Sequence, residues 1–169
     1  VESDANLIQV NDSAPANTGN ITVLRDLKIK PKSAEYNCFG SPVTFAAGQS
    51  MKTIYPGITY VLYHNEANNY FYNSSGANIP GRGLAVKEPS VDTSNGAYDI
   101  TATFIGVPQN GIINFALANS NTATSSHLGY NLVGNPYPSN IDLQALYELN
   151  KGQIAADPAI STSFYFWDS

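Results

Sequence analysis

The side chains best suited to ligand chemistry are four neighbouring tyrosines, among 11 in the chain. A tyrosine ring can stack on the face of a sugar ring, and an amide such as Asn69 can bind the sugar hydroxyls. Because side chains alternate along a strand, Tyr60 is expected on the face opposite Tyr63, so half of these rings belong to the core. The pattern predicts a carbohydrate-binding site at Tyr63, Tyr70, Tyr72 and Asn69, with a purely structural role as the competing interpretation.

A nucleophilic pair would have to use Cys38 with one of the two histidines, His64 or His127. His64 ends a predicted strand and His127 lies in a serine-rich loop, and no catalytic motif surrounds either residue. A single cysteine excludes a disulfide framework and a thiolate metal site. The preferred interpretation of Cys38 is therefore a buried, inert thiol.

Paired carboxylates such as Asp99 with Glu88, or Asp142 with Glu148, could serve a glycoside hydrolase. However, 13 acidic residues in a chain of 169 produce such pairs by chance. Asp142 also suits the first turn of a helix, where the helix dipole favours an anion. A fragment of a glycan-processing hydrolase is the third interpretation, and no catalytic residue is predicted.

Oxygen-bearing side chains make Ca²⁺ the one cofactor to consider. Asp12, Asn135 and Asp168 are the candidate ligands, because calcium prefers carboxylate and amide oxygens. The alternating Asp loop of an EF-hand is absent, and turns in which Asn and Asp bond to their own backbone account for most of these residues. We therefore predict no cofactor, with calcium kept as the alternative.

The overall charge argues against nucleic-acid binding, and the hydropathy argues against a transmembrane segment. The net charge of −5 and a pI near 4.7 argue against nucleic-acid binding, which needs a basic face. No run of about 18 apolar residues is present, so no transmembrane segment is predicted. Only 12% of the residues are charged and 19 are Asn, a balance that favours turns and strands over long helices.

The elements that must position these side chains are mainly short strands. About ten strands separated by turns predict an antiparallel β-sandwich or curled sheet with one short helix near 142–150. The segments 57–64 and 69–72 form the clearest hairpin, and Asn110-Gly111 is the strongest short hairpin signal. The predicted strands are 1–10, 21–24, 26–32, 36–43, 57–64, 69–72, 81–87, 98–105, 112–117, 130–133 and 163–167.

A rigid corner follows the strand at 130–133. Gly134 and Asn135 end the strand, and Pro136 and Pro138 each fix φ and remove a backbone donor. Ser139 or Asn140 is expected to cap the helix, and Lys151-Gly152 to close it. The corner formed by Gly134, Asn135, Pro136 and Pro138 is predicted to be an architectural joint.

Several short motifs occur in an order that resembles a module of large secreted or cell-surface proteins from Bacteroidota, especially flavobacteria. The resemblance covers nearly the whole chain and implies export by the type nine secretion system, through a C-terminal sorting domain that this chain lacks. The motif segments are 6–10 (NLIQV), 17–23 (NTGNITV), 40–43 (GSPV), 81–86 (GRGLAV), 104–111 (FIGVPQNG), 129–138 (GYNLVGNPYP), 141–142 (ID) and 164–167 (FYFW).

The resemblance also implies domain limits and a modification site. In such proteins the segment matching 1–10 is the last strand of a preceding repeat region, so residues 11–169 would form one β-rich module, truncated at its C-terminus. Where the family has an aromatic-Ser-Ser-Pro run, this chain has Phe39-Gly40-Ser41-Pro42. Asp12-Ser13-Ala14 resembles the sequon that is glycosylated in exported Bacteroidota proteins, which makes Ser13 a candidate glycan site.

Together these features predict a non-catalytic structural or adhesion module of a secreted or surface-anchored bacterial protein. A carbohydrate-binding module that uses exposed tyrosines is the alternative. Its expected partners are neighbouring domains of the same polypeptide, glycans or other cell-surface components, and the secretion machinery. Exposed, coplanar rings would favour the binding module, and buried tyrosines would favour the spacer.

Overall fold

The chain folds into two antiparallel sheets and one helix. The computed structural model describes residues 1–11, 13, 16–29, 36–87, 98–120, 129–156 and 164–166. The predicted fold class is confirmed: the protein is mainly β, with a sandwich-like pair of open sheets. The elements are β1 (Ile21–Ile29), β2 (Tyr36–Phe39), β3 (Val43–Phe45), β4 (Val61–Asn65), a 3-10 turn (Glu66–Asn68), β5 (Tyr70–Asn73), β6 (Leu84–Lys87), β7 (Tyr98–Pro108) and α1 (Leu143–Ala156).

The first sheet is built around β7 and has the strand order β1-β7-β3. β1 pairs with β7 over nine residues, from Ile21 opposite Gly106 to Ile29 opposite Tyr98. The two predicted strands at 21–24 and 26–32 are thus one strand as far as residue 29. A Cβ at Gly106 would lie 2.0 Å from the Thr44 carbonyl oxygen, so only glycine allows β3 to approach β7 here.

The second sheet has the strand order β2-β6-β4-β5 and carries the tyrosine hairpin. The predicted hairpin is confirmed, with β4 and β5 paired from Leu62 opposite Asn73 to Asn65 opposite Tyr70. β6 lies between β2 and β4, and Val86 opposes both Asn37 and Val61. Since opposed residues share a face, this register decides which side chains can form one surface.

The core lies between the two sheets and centres on Phe104, which is fully buried. Its ring meets Phe39 of the second sheet edge-on at 5.9 Å and stacks on Phe45 at 6.5 Å. Burying several aromatic and branched side chains in this way supplies the main driving force for folding. The other core residues are Val23, Val43, Met51, Ile54, Tyr55, Val61, Leu84, Val86 and Ala102.

Three of the predicted strands are wrong where the structure describes them. Residues 1–10 are irregular, although the Val1 amine donates to the Thr22 carbonyl at 2.7 Å and so covers the edge of β1. Residues 112–117 and 164–166 are also irregular. The predicted strand at 130–133 is reduced to one bridge, between Val133 and Arg82.

The expected Asn110-Gly111 hairpin does not form, and the chain around it bonds to the N-terminal segment instead. The Gln9 side chain donates to the Gln109 carbonyl at 2.7 Å, and the Asn110 side chain donates to the Asn11 carbonyl at 2.8 Å. These bonds tie the N-terminal segment to the end of β7. Gly111 still adopts a positive φ of 75°, so the chain turns there without a returning strand.

The helix α1 forms, but its predicted ends are wrong. Asp142 is the cap rather than Ser139 or Asn140, because its Oδ1 accepts from the Gln144 and Ala145 amides at 2.9 and 3.0 Å. The helix continues to Ala156, so Gly152 lies inside it instead of closing it. Among the helices of the described ranges, none has the length and apolar character needed to cross a bilayer.

Candidate functional site

The hairpin β4–β5 brings three of the predicted ligand-binding tyrosines together. Tyr63 and Tyr72 oppose each other across the two strands, and their rings stack at 5.9 Å with an interplanar angle of 28°. Tyr70 meets Tyr72 edge-on at 5.3 Å. The Arg82 guanidinium carbon lies 5.6 Å from the Tyr63 ring centre. These rings form a cluster, but they are not coplanar.

Exposure separates these tyrosines into two groups. Tyr70 is 62% exposed and Tyr72 is 38% exposed, so both can contact a ligand. Tyr63 is half-buried and packs against the core. Tyr60, which the sequence placed on the opposite face, is 53% exposed. The residues that a ligand can reach are therefore Tyr60, Tyr70 and Tyr72. The strand register places Tyr60 on the face opposite Tyr70 and Tyr72, and Tyr63 stacks on Tyr72.

Asn69 does not lie beside the tyrosine rings as predicted. It occupies the left-handed region at φ 46° and ends the 3-10 turn, and its Oδ1 lies 3.1 Å from His64 Nε2. Asn68 is the amide at the tyrosines, because its Nδ2 donates to the Tyr72 hydroxyl at 2.9 Å. Choosing between two adjacent asparagines in a turn requires its backbone conformation, which the sequence does not reveal.

A cleft of about 320 Å³ lies on the second sheet and is lined by residues of β2, β4 and β5 and by Tyr60. We call it the tyrosine cleft. Its volume falls at the lower end of the range of about 300–1,000 Å³ typical of small-molecule sites. Five of its seven lining residues are aromatic, an unusual concentration for a surface site. The lining residues are Tyr36, Tyr60, Leu62, Tyr70, Phe71, Tyr72 and Asn73.

Sequence reasoning missed Tyr36 and Leu62 because they reach the cleft through strand pairing. Tyr36 opposes Lys87 across β2 and β6, and the Lys87 amide donates to the Tyr60 carbonyl at 2.8 Å. Tyr36, Lys87 and Tyr60 therefore form one row across the sheet. The Lys87 ammonium lies 5.6 Å from the Tyr36 ring centre and 6.0 Å from that of Tyr60. The register that creates this row is not visible in a single sequence.

A buried carboxylate holds the turn next to the tyrosines. Glu66 is 6% exposed and accepts hydrogen bonds from the Ser120 amide at 2.6 Å, the Ser120 hydroxyl at 2.7 Å and the Gly129 amide at 2.7 Å. Burial raises the pKa of Glu66. The three donors and the nearby His64 together lower the pKa by more than burial raises it, so the net pKa lies below the ordinary value of 4.5. Glu66 is therefore an ionised anchor that ties the hairpin to the segments around Ser120 and Gly129.

The structure does not bring Cys38 and His64 together as a catalytic pair. Cys38 lies on β2 and His64 on β4, with β6 between them. Burial raises the pKa of the Cys38 thiol to about 11, which keeps it protonated near neutral pH. The ring of His64 packs on Phe71 at 5.0 Å. His127 lies outside the described residues.

The candidate carboxylate pairs have other partners where they are described. Asp99 binds Lys28 at 3.0 Å, with both side chains 77% exposed. Asp142 caps α1, and Glu148 pairs with Lys151 one helical turn further on. Glu88 lies outside the described residues.

The suggested calcium ligands do not form a described cluster. Asp12 and Asp168 lie outside the described residues. Asn135 uses its side chain within the corner, where Oδ1 accepts from the Tyr137 amide at 2.9 Å and Nδ2 donates to the Ser139 carbonyl at 2.6 Å. Across the described part of the chain, no group of three or more His, Cys, Asp or Glu could hold a metal ion.

The candidate glycosylation site Ser13 is exposed. Its amide and hydroxyl both donate to Asn11 Oδ1, at 3.1 and 3.2 Å. This is a local turn that leaves the side chain at the surface.

The double-proline corner joins distant parts of the chain. A Cβ at Gly134 would lie 2.4 Å from Gly40 Cα, so the two backbones meet directly. Leu7 donates its amide to the Pro138 carbonyl at 2.9 Å, and the Tyr137 hydroxyl donates to the Gly111 carbonyl at 2.6 Å. A second cleft of about 340 Å³ lies here, and the residues that line it include Arg25, Leu27, Phe39, Phe104 and Asn135.

Comparison with protein families gives one match. The family described as "Domain of unknown function (DUF8693)" matches residues 1–169, and the chain belongs to this family. No curated protein and no solved structure matches the chain.

Proposed function

We propose that this member of the DUF8693 family is a non-catalytic adhesion module that binds polysaccharide in the tyrosine cleft. The observation that carries the proposal is the lining of that cleft, in which five of seven residues are aromatic. Tyr60 and Tyr70 remain more than half exposed although burial of such rings is favourable. A ligand that covers the Tyr60 ring in this cleft accounts for its exposure.

Sugar rings match the chemistry of this surface. Each sugar has a face of C–H groups that stacks on an aromatic ring, and a rim of hydroxyls that needs hydrogen-bond partners. Tyr36 and Tyr60, which lie in one row on the same face of the sheet, supply rings for stacking. The Asn73 amide and the tyrosine hydroxyls supply polar partners at the same site. Shallow binding of this kind suits adhesion, in which many weak contacts add up along a polymer.

The non-catalytic part of the proposal rests on the roles of the reactive groups. The Cys38 thiol is protonated, and the Glu66 carboxylate accepts hydrogen bonds from Ser120 and Gly129 of the protein itself. Neither group lines the tyrosine cleft. A hydrolase would instead place two free carboxylates across a cleft.

We propose a secreted or cell-surface location because of the short motifs that occur in order along the sequence. They resemble modules of secreted or cell-surface Bacteroidota proteins that the type nine secretion system exports. The partners of this protein would then be glycans or other surface components, neighbouring domains of the same polypeptide, and the secretion machinery, which a sorting domain would engage.

A structural role as a spacer is the second candidate, and the N-terminal tether favours it. Besides the bond from Leu7 to Pro138, the Asn6 side chain accepts from the Asn140 amide at 2.7 Å. The N-terminal segment is thereby fixed to the corner that precedes α1. A module clamped in this way would transmit tension between its neighbours, so tyrosine substitutions would leave its function unchanged.

A retention screen on immobilised polysaccharides tests the proposal. The variants are Tyr36→Ala and Tyr60→Ala, and the control is Tyr130→Ala, which removes a ring that is 56% exposed but does not line the cleft. Retention of the wild type and of the control, with loss in both cleft variants, is the expected result. Absence of retention on every polysaccharide, or equal loss in all three variants, would leave the spacer as the better account.

A further inference from the structure

We infer that the tyrosine cleft selects acidic polysaccharides, with Lys87 binding a carboxylate or sulfate group of the sugar. The inference rests on the proposed function and specifies its ligand class. It follows from the position of one cation at the edge of an aromatic surface.

Strand pairing fixes the position of Lys87. Tyr36 opposes it on β2, and its own amide is bonded to the Tyr60 carbonyl. Tyr36 and Tyr60 both line the cleft. A sugar ring stacked on Tyr60 would therefore have the Lys87 ammonium near its edge, where the ring carries its substituents.

The two rings also hold the ammonium in place. Distances of 5.6 and 6.0 Å to the ring centres are within the range of about 6 Å for cation–π attraction. A lysine that is already positioned loses less side-chain entropy when it binds an anion. Lys87 is thus better prepared for binding than a freely moving surface lysine.

Within the described residues, the charge of Lys87 has no ion-pair partner. Lys28 pairs with Asp99 and Lys151 pairs with Glu148, whereas no carboxylate of the described residues forms an ion pair with Lys87. An ammonium flanked by aromatic rings has fewer waters around it than an exposed one, so its attraction for an anion is less screened. The other cation near the tyrosines, Arg82, lies over Tyr63, which does not line the cleft.

The net charge of −5 opposes acidic ligands in general, so local attraction must supply the selectivity. At about 0.15 M salt, charges more than about 8 Å apart are largely screened. The distant carboxylates then contribute little, and the contact with Lys87 remains. Comparing charge-matched variants isolates this contact from the general repulsion.

The test is a set of binding isotherms at about 0.15 M salt with polygalacturonate, a sulfated galactan and a neutral galactan. The variants are Lys87→Gln and Lys87→Arg, and Lys28→Gln is the matched control because it removes the same charge from a different surface. Thermal melting of each variant confirms that it folds. The two acidic polymers distinguish a carboxylate ligand from a sulfate.

We expect the wild type to bind at least one acidic polymer more tightly than the neutral galactan. Lys87→Gln should weaken acidic binding about tenfold, the usual scale for a lost charge-assisted hydrogen bond, and change neutral binding by less than about twofold. Lys87→Arg and Lys28→Gln should retain the preference. Equal affinity for acidic and neutral polymers would overturn the inference and leave the proposed function intact. Absence of binding to all three would overturn both.

Discussion

Tyr63 and Tyr72 stack across the β4–β5 hairpin at 5.9 Å and share one face of the sheet, yet their surroundings differ. Tyr63 packs against the core, whereas Tyr72 lines the tyrosine cleft. The hairpin thereby links the stability of the sandwich to the shape of its candidate binding site.

The burial of Tyr63 and the exposure of Tyr60 predict that substituting these two residues changes stability to very different extents. Tyr63→Ala should lower the free energy of unfolding by about 2 kcal/mol, because it removes a half-buried ring. Tyr60→Ala should change it by less than about 0.5 kcal/mol, because that ring is mostly exposed. Urea denaturation at pH 7 measures both values. Similar losses in the two variants would contradict the assignment of Tyr63 to the core.

The lowered pKa of Glu66 predicts how the stability of the protein depends on pH. The pKa of Glu66 is lower in the folded protein than the ordinary value of 4.5. The carboxylate therefore makes its full contribution to stability at pH values above 4.5. This contribution disappears as the pH falls through the lower pKa of the folded state. Glu66→Gln should therefore destabilise the protein by about 2 kcal/mol at pH 7, since glutamine keeps one acceptor oxygen for the three donors and lacks the charge that strengthens these bonds.

The difference between the wild type and Glu66→Gln should shrink steadily when the pH falls below 4.5. Melting temperatures measured from pH 7 to pH 3 test this trend. Glu148→Gln is the control, since its exposed pair with Lys151 adds little to stability. A wild-type advantage that stays constant down to pH 3 would show that the ionised form of Glu66 contributes nothing.

Two glycine substitutions should change stability in opposite directions. Gly134→Ala should cost about 1–3 kcal/mol, because the new Cβ meets the Gly40 backbone at 2.4 Å. Gly152→Ala should stabilise the protein by up to about 1 kcal/mol, because the residue lies in α1 with nothing within 4 Å of the new Cβ. Chemical denaturation measures both effects. A neutral Gly134→Ala variant would mean that the corner is not tightly packed.

Cys38 should be nearly unreactive in the folded protein. Raising its pKa from 9.0 to about 11 reduces the thiolate fraction near neutral pH about a hundredfold. Alkylation with iodoacetamide at pH 7.5 should therefore be about a hundredfold slower in the native protein than in urea. Equal rates in the two conditions would contradict the buried position of the thiol.

The strands were predictable where alternation and turn residues coincide, as in the hairpin β4–β5 and in β7. Prediction failed where polar side chains from distant segments compete for the backbone. Gln9 and Asn110 each bond to a carbonyl about a hundred positions away in the sequence, and so replace the hairpin expected at Asn110-Gly111. The N-terminal segment likewise pairs at Val1 without becoming a strand.

The candidate site was predictable only in part. The composition of the hairpin identified the tyrosines at 63, 70 and 72, but exposure separates Tyr63 from the other two. Tyr36 and Lys87 join the site through the pairing of β2 with β6, a contact between segments about 50 residues apart. Register between distant strands depends on the whole sheet and is not encoded in any local pattern.

The most direct test of the account is a titration of the protein with a polysaccharide, followed by NMR of the tyrosine ring carbons. Stacking of sugars should shift the ring signals of the cleft tyrosines Tyr36, Tyr60, Tyr70 and Tyr72, and leave those of Tyr130 and Tyr147 unchanged. Shifts confined to the cleft rings are the predicted result. Shifts spread over all tyrosines, or confined to rings outside the cleft, would contradict polysaccharide binding in the tyrosine cleft.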